Sequence, residues 1–294
     1  MIPGYDGNQP SADEIERLSL HCAANGADAL FFFRWRPCTY GCEQSHGSLT
    51  GFDGQPVRAY AEAANAGKRL RALAPRLVGA KVEANIGVIY DFPSRWICET
   101  GTYWNGPANL YMERAWLMHK VVRELGYGCA VTDTKQNWQD LRIIIAPMQL
   151  IADDAFAEKL SAYIRAGGTV IWHPLCGTKN PEGEIYRDRC HPSILELAGA
   201  SVREYRTIDR NKAANFTWNN QTFAGKLFCD IPVLRDANPL GLFFGGQFDG
   251  IPAIFENCIG KGRFIYLATF ADADFYRGFL PAVFKEAGAK PILK

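Results

Sequence analysis

The sequence predicts an α/β fold built on a mostly parallel sheet, and three observations point there. Short apolar runs alternate with amphipathic stretches of helix length from Val82 to Trp172. A helix, a glycine stop and a continuous apolar run follow one another between Ser11 and Trp35. Past Ala200 the pattern changes to short alternating segments around Val202, Phe216, Phe223, Leu242 and Ile254, which read as antiparallel strands or a meander.

Taken in order, Gly4 to Asp13 is turn-rich, and Ser11 followed by Glu14 has capping-box spacing, in which each side chain satisfies the other's free backbone N–H. The helix that follows places Ile15, Leu18, Cys22 and Ala23 on its buried side, and Gly26 stops it. The run Ala29-Leu30-Phe31-Phe32-Phe33-Arg34-Trp35 is short and aromatic, as expected of a strand buried on both faces. The polar, cysteine-bearing loop from Arg36 to Ser48 then leaves the C-terminal end of that strand, where α/β folds bind ligands. After the Asp53-Gly54 turn, Val57 to Ala74 forms an amphipathic helix presenting Val57, Ala61, Ala64, Leu70 and Leu73, and Pro75 to Gly79 reads as a linker.

A second unit begins with a strand within Val82 to Tyr90. Leu110, Leu117, Val121 and Leu125 mark one face of a helix ended by Gly126. Val131 sits in a short strand, and Leu141 to Ala146 makes a stronger one. Phe156, Leu160, Tyr163 and Ile164 share a helix face closed by Gly167-Gly168, and Thr169 to Trp172 is the next strand. Arg263 to Thr269 is one more buried strand, and Phe275 to Ala287 is a closing helix capped by Asp272 and Asp274. Gly245-Gly246 and Gly260-Lys261-Gly262 read as hairpin turns, since neither has dinucleotide or P-loop spacing.

Composition excludes several function classes. A net charge of +1 gives no whole-chain pull toward nucleic acid or membrane. No window approaches the ~18 uninterrupted apolar residues of a membrane span, and Met1 to Pro10 lacks the pattern of a signal peptide. The 9 cysteines are odd in number and scattered, unlike a secreted disulfide framework, so reduced thiols in a cytoplasmic protein are expected.

The string Gly26-Ala27-Asp28-Ala29-Leu30-Phe31-Phe32-Phe33-Arg34-Trp35-Arg36, followed by Gly41-Cys42-Glu43-Gln44-Ser45-His46, resembles the last strand and following loop of the family 42 β-galactosidase barrel. A looser match from Ala84 to about Lys294 resembles that family's second domain, an α/β unit that builds its trimers and is similar in fold to class I glutamine amidotransferases. The resemblance implies residues 1–79 as the C-terminal remnant of a (β/α)8 barrel. Residues 80–294 would be a flavodoxin- or amidotransferase-like trimerisation domain, mostly parallel with some antiparallel strands. It implies that Glu43 and His46, with Trp35 nearby, form part of a galactose pocket. The chemistry suits that role, because a carboxylate accepts bonds from two sugar hydroxyls and an imidazole gives or takes one more.

What the resemblance does not bring along decides the expected activity. Retaining glycosidases need two carboxyl groups about 5 to 5.5 Å apart. In the family the acid/base follows an Asn early in the barrel, and the nucleophile ends a strand upstream of these residues. There is no Asn-Glu dipeptide in the 294 residues, and a complete barrel takes roughly 250 residues. The expectation is a β-galactosidase-family fragment with no catalytic residue of its own and no turnover alone. The alternative is a non-catalytic oligomerisation or galactoside-binding module. Terminal β-D-galactosides and further copies in a homotrimer are the expected partners, with no nucleic acid, membrane or cofactor. Cys38, Cys42 and His46 lack the tight pairing and fourth ligand of a zinc site, so no metal is expected. His173 and Cys176 follow a strand as an amidotransferase pair would, but Leu175-Cys176-Gly177 has a small residue on one side only, and Pro174 constrains the turn.

Overall fold

The computed structural model describes residues 10, 12–100, 109–209 and 211–292, in two compact units, Met1–Val82 and Glu83–Lys294. In the first unit α1 (Glu14–Ala24) buries Ile15 and Ser19, whose hydroxyl bonds back to the Ile15 carbonyl at 2.6 Å. Gly26, at φ 94°, turns the chain after it as expected. Ser11 lies outside the described residues, and Asp13 occupies the helix entry without a side-chain cap bond. Helix α2 (Arg58–Leu77) buries Ala59, Ala63 and Ala66. Its inner stripe is therefore shifted from the expected one, and Ala61 and Ala64 face solvent. The helix also runs through Pro75 rather than stopping before it. Only two helical residues follow that proline, which has no N–H to return to the Arg71 carbonyl. Ile15 packs with Ala59 and Ala63 in a small apolar cluster, with Leu49 and Val57 against it.

The apolar run before the polar loop departs most from expectation. No strand forms over Leu30 to Trp35, and Phe31 is 92% exposed, with Phe33 and Trp35 also open. A strand buried on both faces requires ladder partners on both edges, and among the described residues no β-ladder or bridge includes this segment.

The second unit follows the expected alternation. Strand β1 (Ile86–Ile89) leads through α3 (Phe92–Thr100) and α4 (Leu110–Glu124) to β2 (Cys129–Thr132). Then come β3 (Ile143–Ala146), α5 (Asp154–Arg165), β4 (Thr169–Trp172), α6 (Pro192–Ala198) and β5 (Ala200–Thr207). Strands β6 (Ala214–Trp218), β7 (Gln221–Leu234), β8 (Asn238–Leu242), β9 (Pro252–Ile259), β10 (Gly262–Leu267) and β11 (Thr269–Phe270) precede α7 (Ala273–Glu286). Among the described residues a 7-stranded sheet has the order β2-β1-β3-β4-β10-β9-β8. From β2 to β10 its neighbours are parallel, and β9 and β8 extend it antiparallel. Strands β1, β3 and β4 are buried along their whole length, which explains their largely apolar character. Since the chain leaves β1 for β2 on one side and β3 on the other, the topological switch point lies between β1 and β3.

A second sheet, β11-β7-β5 with β6 paired to β7, supplies the antiparallel strands expected past Ala200. Helix α7 is knitted to it through Phe275, whose ring lies 5.1 Å from those of Phe216, Phe223 and Phe279. Asp153 caps α5 by accepting the Phe156 N–H at 2.8 Å. Asp272 stands at the entry to α7 but makes no cap bond, because its carboxylate is taken by Lys226. Asp274 pairs with Arg277 one turn on instead of capping. Helices α3 and α6 had no counterpart in the sequence expectation; at 9 and 7 residues they are too short to show a clear period. Two glycines mark points of backbone contact. A Cβ on Gly262 would lie 2.2 Å from the carbonyl oxygens of Ile164 and Gly168, and one on Gly128 would lie 2.0 Å from that of Glu83.

Candidate functional site

The loop after Trp35 is closed at its base by consecutive main-chain bonds, from Leu49 N–H to the Arg34 carbonyl at 2.9 Å and from Thr50 N–H to the Trp35 carbonyl at 3.0 Å. The Thr50 hydroxyl adds a bond to the same Trp35 carbonyl. Within the loop, His46 N–H reaches the Glu43 carbonyl at 3.2 Å, so the two candidate sugar ligands flank one turn. Gln44 ties the turn to the Thr39 carbonyl. The Trp35 ring is half exposed and meets Tyr60 edge-on at 5.6 Å. Trp35, Glu43 and His46 thus share one closed loop, although no bond joins their side chains directly.

One oxygen of Glu43, Oε2, accepts from Arg34 Nη1 at 2.9 Å, and among the described residues nothing bonds Oε1. His46 Nδ1 is buried without a partner. The loop therefore holds one carboxylate oxygen and one imidazole nitrogen that have no protein partner among the described residues. Sequence reasoning passed over Arg34 as a site residue. Its signal was a lone charge inside an apolar run, which is costly unless the charge finds partners. Among the described residues no group of three or more His, Cys, Asp or Glu side chains could hold a metal ion. Cys38 instead lies against Arg34 Nη1.

The second unit has its own concentration of polar groups at the C-terminal ends of β1, β3 and β4. Gln149 Nε2 donates to Ser94 Oγ at 3.0 Å and to the Ile151 carbonyl at 2.9 Å, and reaches Asp91 Oδ2 at 3.3 Å. Ser94 and Gln149 are buried, so the switch-point crevice where doubly wound proteins bind ligands is filled by the chain's own side chains. Next to it, His173 Nδ1 and Cys176 Sγ both bond the Ala146 carbonyl, at 3.0 and 3.2 Å, and neither bonds the other's side chain. Burial drives the His173 ring down to about 3 and pushes the Cys176 thiol well above its ordinary value. A protonated thiol beside a buried neutral imidazole that is bonded elsewhere is not an activated nucleophile. Positive φ in this turn falls on Leu175, whose side chain is fully buried, and on Gly177.

Comparison with known proteins agrees with both halves of the chain. The family described as β-galactosidase matches residues 6–73, and the family described as β-galactosidase trimerisation domain matches residues 84–290. A β-galactosidase of Geobacillus sp. is 28% identical over 98% of this chain, and one of Alicyclobacillus acidocaldarius is 27% identical over 92%. These matches take in 43% and 40% of those relatives, so the chain spans about two fifths of their length. The solved β-galactosidase of Bacillus circulans sp. alkalophilus superposes with a TM-score of 0.90, at 24% identity, over 100% of this chain and 45% of that one. That of Halorubrum lacusprofundi gives 0.83 at 24% identity, over 97% and 42%. The loop carrying Glu43 and His46 lies in the first matched segment and the doubly wound sheet in the second, and the chain belongs to the family 42 β-galactosidases.

Proposed function

We propose that this chain supplies one wall of a galactose pocket, together with the assembly domain, of a retaining β-galactosidase acting on terminal β-D-galactosides. The observation that carries the proposal is the closed loop after Trp35, with Glu43 Oε1 and the His46 ring presented from a single turn. In this reading Trp35 offers an apolar face to the sugar ring, Glu43 accepts from two hydroxyls and His46 bonds a third. The barrel remnant is residues 1–79, and residues 80–294 associate with further copies as a homotrimer. All 9 cysteines are free thiols, which suits the cytoplasm.

Hydrolysis is a separate matter. With no Asn-Glu dipeptide in these 294 residues, Glu43 would have to serve as both acid/base and nucleophile, roles that require two carboxyl groups. The purified chain is therefore expected to release no nitrophenol from a nitrophenyl galactoside, and steady turnover abolished by Glu43→Ala would sink that expectation. Calorimetry should still detect galactose binding at millimolar or tighter affinity, lost in Glu43→Ala. Heat unchanged in the variant would remove Glu43 from the pocket. No heat from folded wild-type protein would favour a second reading, a module whose remaining role is oligomerisation.

A further inference from the structure

We propose that Arg34 is the positioning residue of the sugar-facing loop: its guanidinium decides which oxygen of Glu43 is left for a ligand and holds the turn that spaces Glu43 from His46. The inference rests on the reading of that loop as a galactose wall and adds a residue to it that touches no sugar. Two donors of the guanidinium go to one residue, Nη1 to Glu43 Oε2 at 2.9 Å and Nη2 to the Glu43 carbonyl at 2.5 Å. The same carbonyl accepts the His46 N–H, so the fork and the turn converge on one oxygen. Arg34 also holds the loop from below, because its own carbonyl accepts the Leu49 N–H at the base. One residue thereby fixes the base and the middle of a loop that is otherwise irregular.

The exposures make this an asymmetric pair. The Arg34 side chain is 12% exposed and that of Glu43 44%, so the guanidinium lies beneath and the carboxylate looks outward. An exposed ion pair adds little to stability. A planar fork that bonds a carboxylate and a main-chain oxygen together restricts geometry, and a lysine ammonium lacks that shape. With Oε2 occupied from below, the carboxylate cannot rotate freely, and Oε1 is presented in one direction.

The test compares wild type with Arg34→Met, Arg34→Lys and Arg34→Ala by galactose calorimetry and by amide hydrogen exchange. Arg34→Met should weaken galactose binding about tenfold or more, the scale of hydrogen bonds to a charged group. It should also speed exchange across 37–48 while leaving 83–292 unchanged. Arg34→Lys should resemble Arg34→Met, since charge without the fork is insufficient. In Arg34→Ala, added methylguanidinium should restore both protection and affinity, and methylammonium should restore neither. Wild-type behaviour of Arg34→Lys, or equal rescue by both cations, would overturn the proposal. If wild type binds no galactose, the sugar-wall reading fails by itself. Exchange then decides the role of Arg34 in the loop, and unchanged protection of 37–48 in Arg34→Met would overturn it as well.

Discussion

Between pH 6 and pH 4 the stability of the second unit should change little in wild type, fall in Asp230→Asn and rise in His173→Asn. Two buried groups of opposite sign lie behind this. His173 bonds the Ala146 carbonyl through Nδ1, which must therefore carry the proton, while Nε2 is buried without a partner. Burial between the rings of Phe270 and Tyr276 lowers its pKa to about 3; the Ala146 bond opposes the shift and the positive charge of Arg114 adds to it. On unfolding the ring titrates near its ordinary 6.5. Below that pH the unfolded chain takes up a proton that the folded one refuses, so stability falls as pH drops, by about 5 kcal/mol over the full window from 6.5 to 3.

Asp230 does the reverse. Burial raises it from 3.8 to about 6, against the Tyr266 hydroxyl bond and the charge of Arg189. As pH falls through 6 the folded state takes its proton first, and stability rises by about 3 kcal/mol by the time 3.8 is passed. Between pH 6 and pH 4 each contribution is worth about 2 kcal/mol, and they nearly cancel. Urea unfolding at the two pH values reads the effect as a difference within each variant, so any cavity or lost bond created by the substitution drops out. Parallel pH dependence in all three proteins would show that neither group titrates as described.

Phe275→Ala should cost about 3 to 5 kcal/mol, the range for emptying a buried phenylalanine site. That is a large part of the ~5 to 15 kcal/mol that holds a typical domain. Phe275 is 2% exposed and its ring meets Phe216 and Phe223 from the β6–β7 hairpin, as well as Tyr276 and Phe279 from its own helix. Truncation removes contacts from both elements, and the surrounding rings are too stiff to close the space. Phe275→Leu retains most of the volume and should cost about 1.5 kcal/mol or less. Equilibrium unfolding in urea measures both, and a loss below 1 kcal/mol for the alanine variant would mean that α7 is held elsewhere.

The parts legible in the sequence are those where local pattern and tertiary environment agree. Thr169–Trp172 was expected at the bounds it has, because a strand buried on both faces reads as an uninterrupted apolar run. The amphipathic stretch of α5 and its glycine stop were legible for the same reason. Leu30 to Trp35 carries the same kind of signal, but the signal describes an environment rather than a backbone preference, and no described neighbour provides that environment. The shifted face of α2 reflects its composition, since alanines occur on every side of the helix and only the position of Ile15 selects Ala59 and Ala63. The caps expected at Asp272 and Asp274 were drawn away by Lys226 and Arg277, partners that spacing cannot show. At the proposed site, Glu43 and His46 were expected only through the resemblance that the strings Gly26 to Arg36 and Gly41 to His46 carry, since the loop pattern alone assigns them no ligand. The Arg34 contacts needed coordinates, because they depend on how the loop folds back over its base.

The close backbone approaches at Gly128 and Gly262 bear on how far such a chain can diverge. Solved relatives retain the fold at 20 to 24% identity, so most positions tolerate exchange provided size and polarity are kept. At these two, a single methyl group would sit about 2 Å from a carbonyl oxygen that belongs to the main chain and cannot swing aside. No compensating change of a neighbouring side chain can make room, because the obstacle is not a side chain. Mutational drift can therefore rewrite the hydrophobic interior piece by piece, while at these crossings it is confined to the one residue whose substituent is a hydrogen atom.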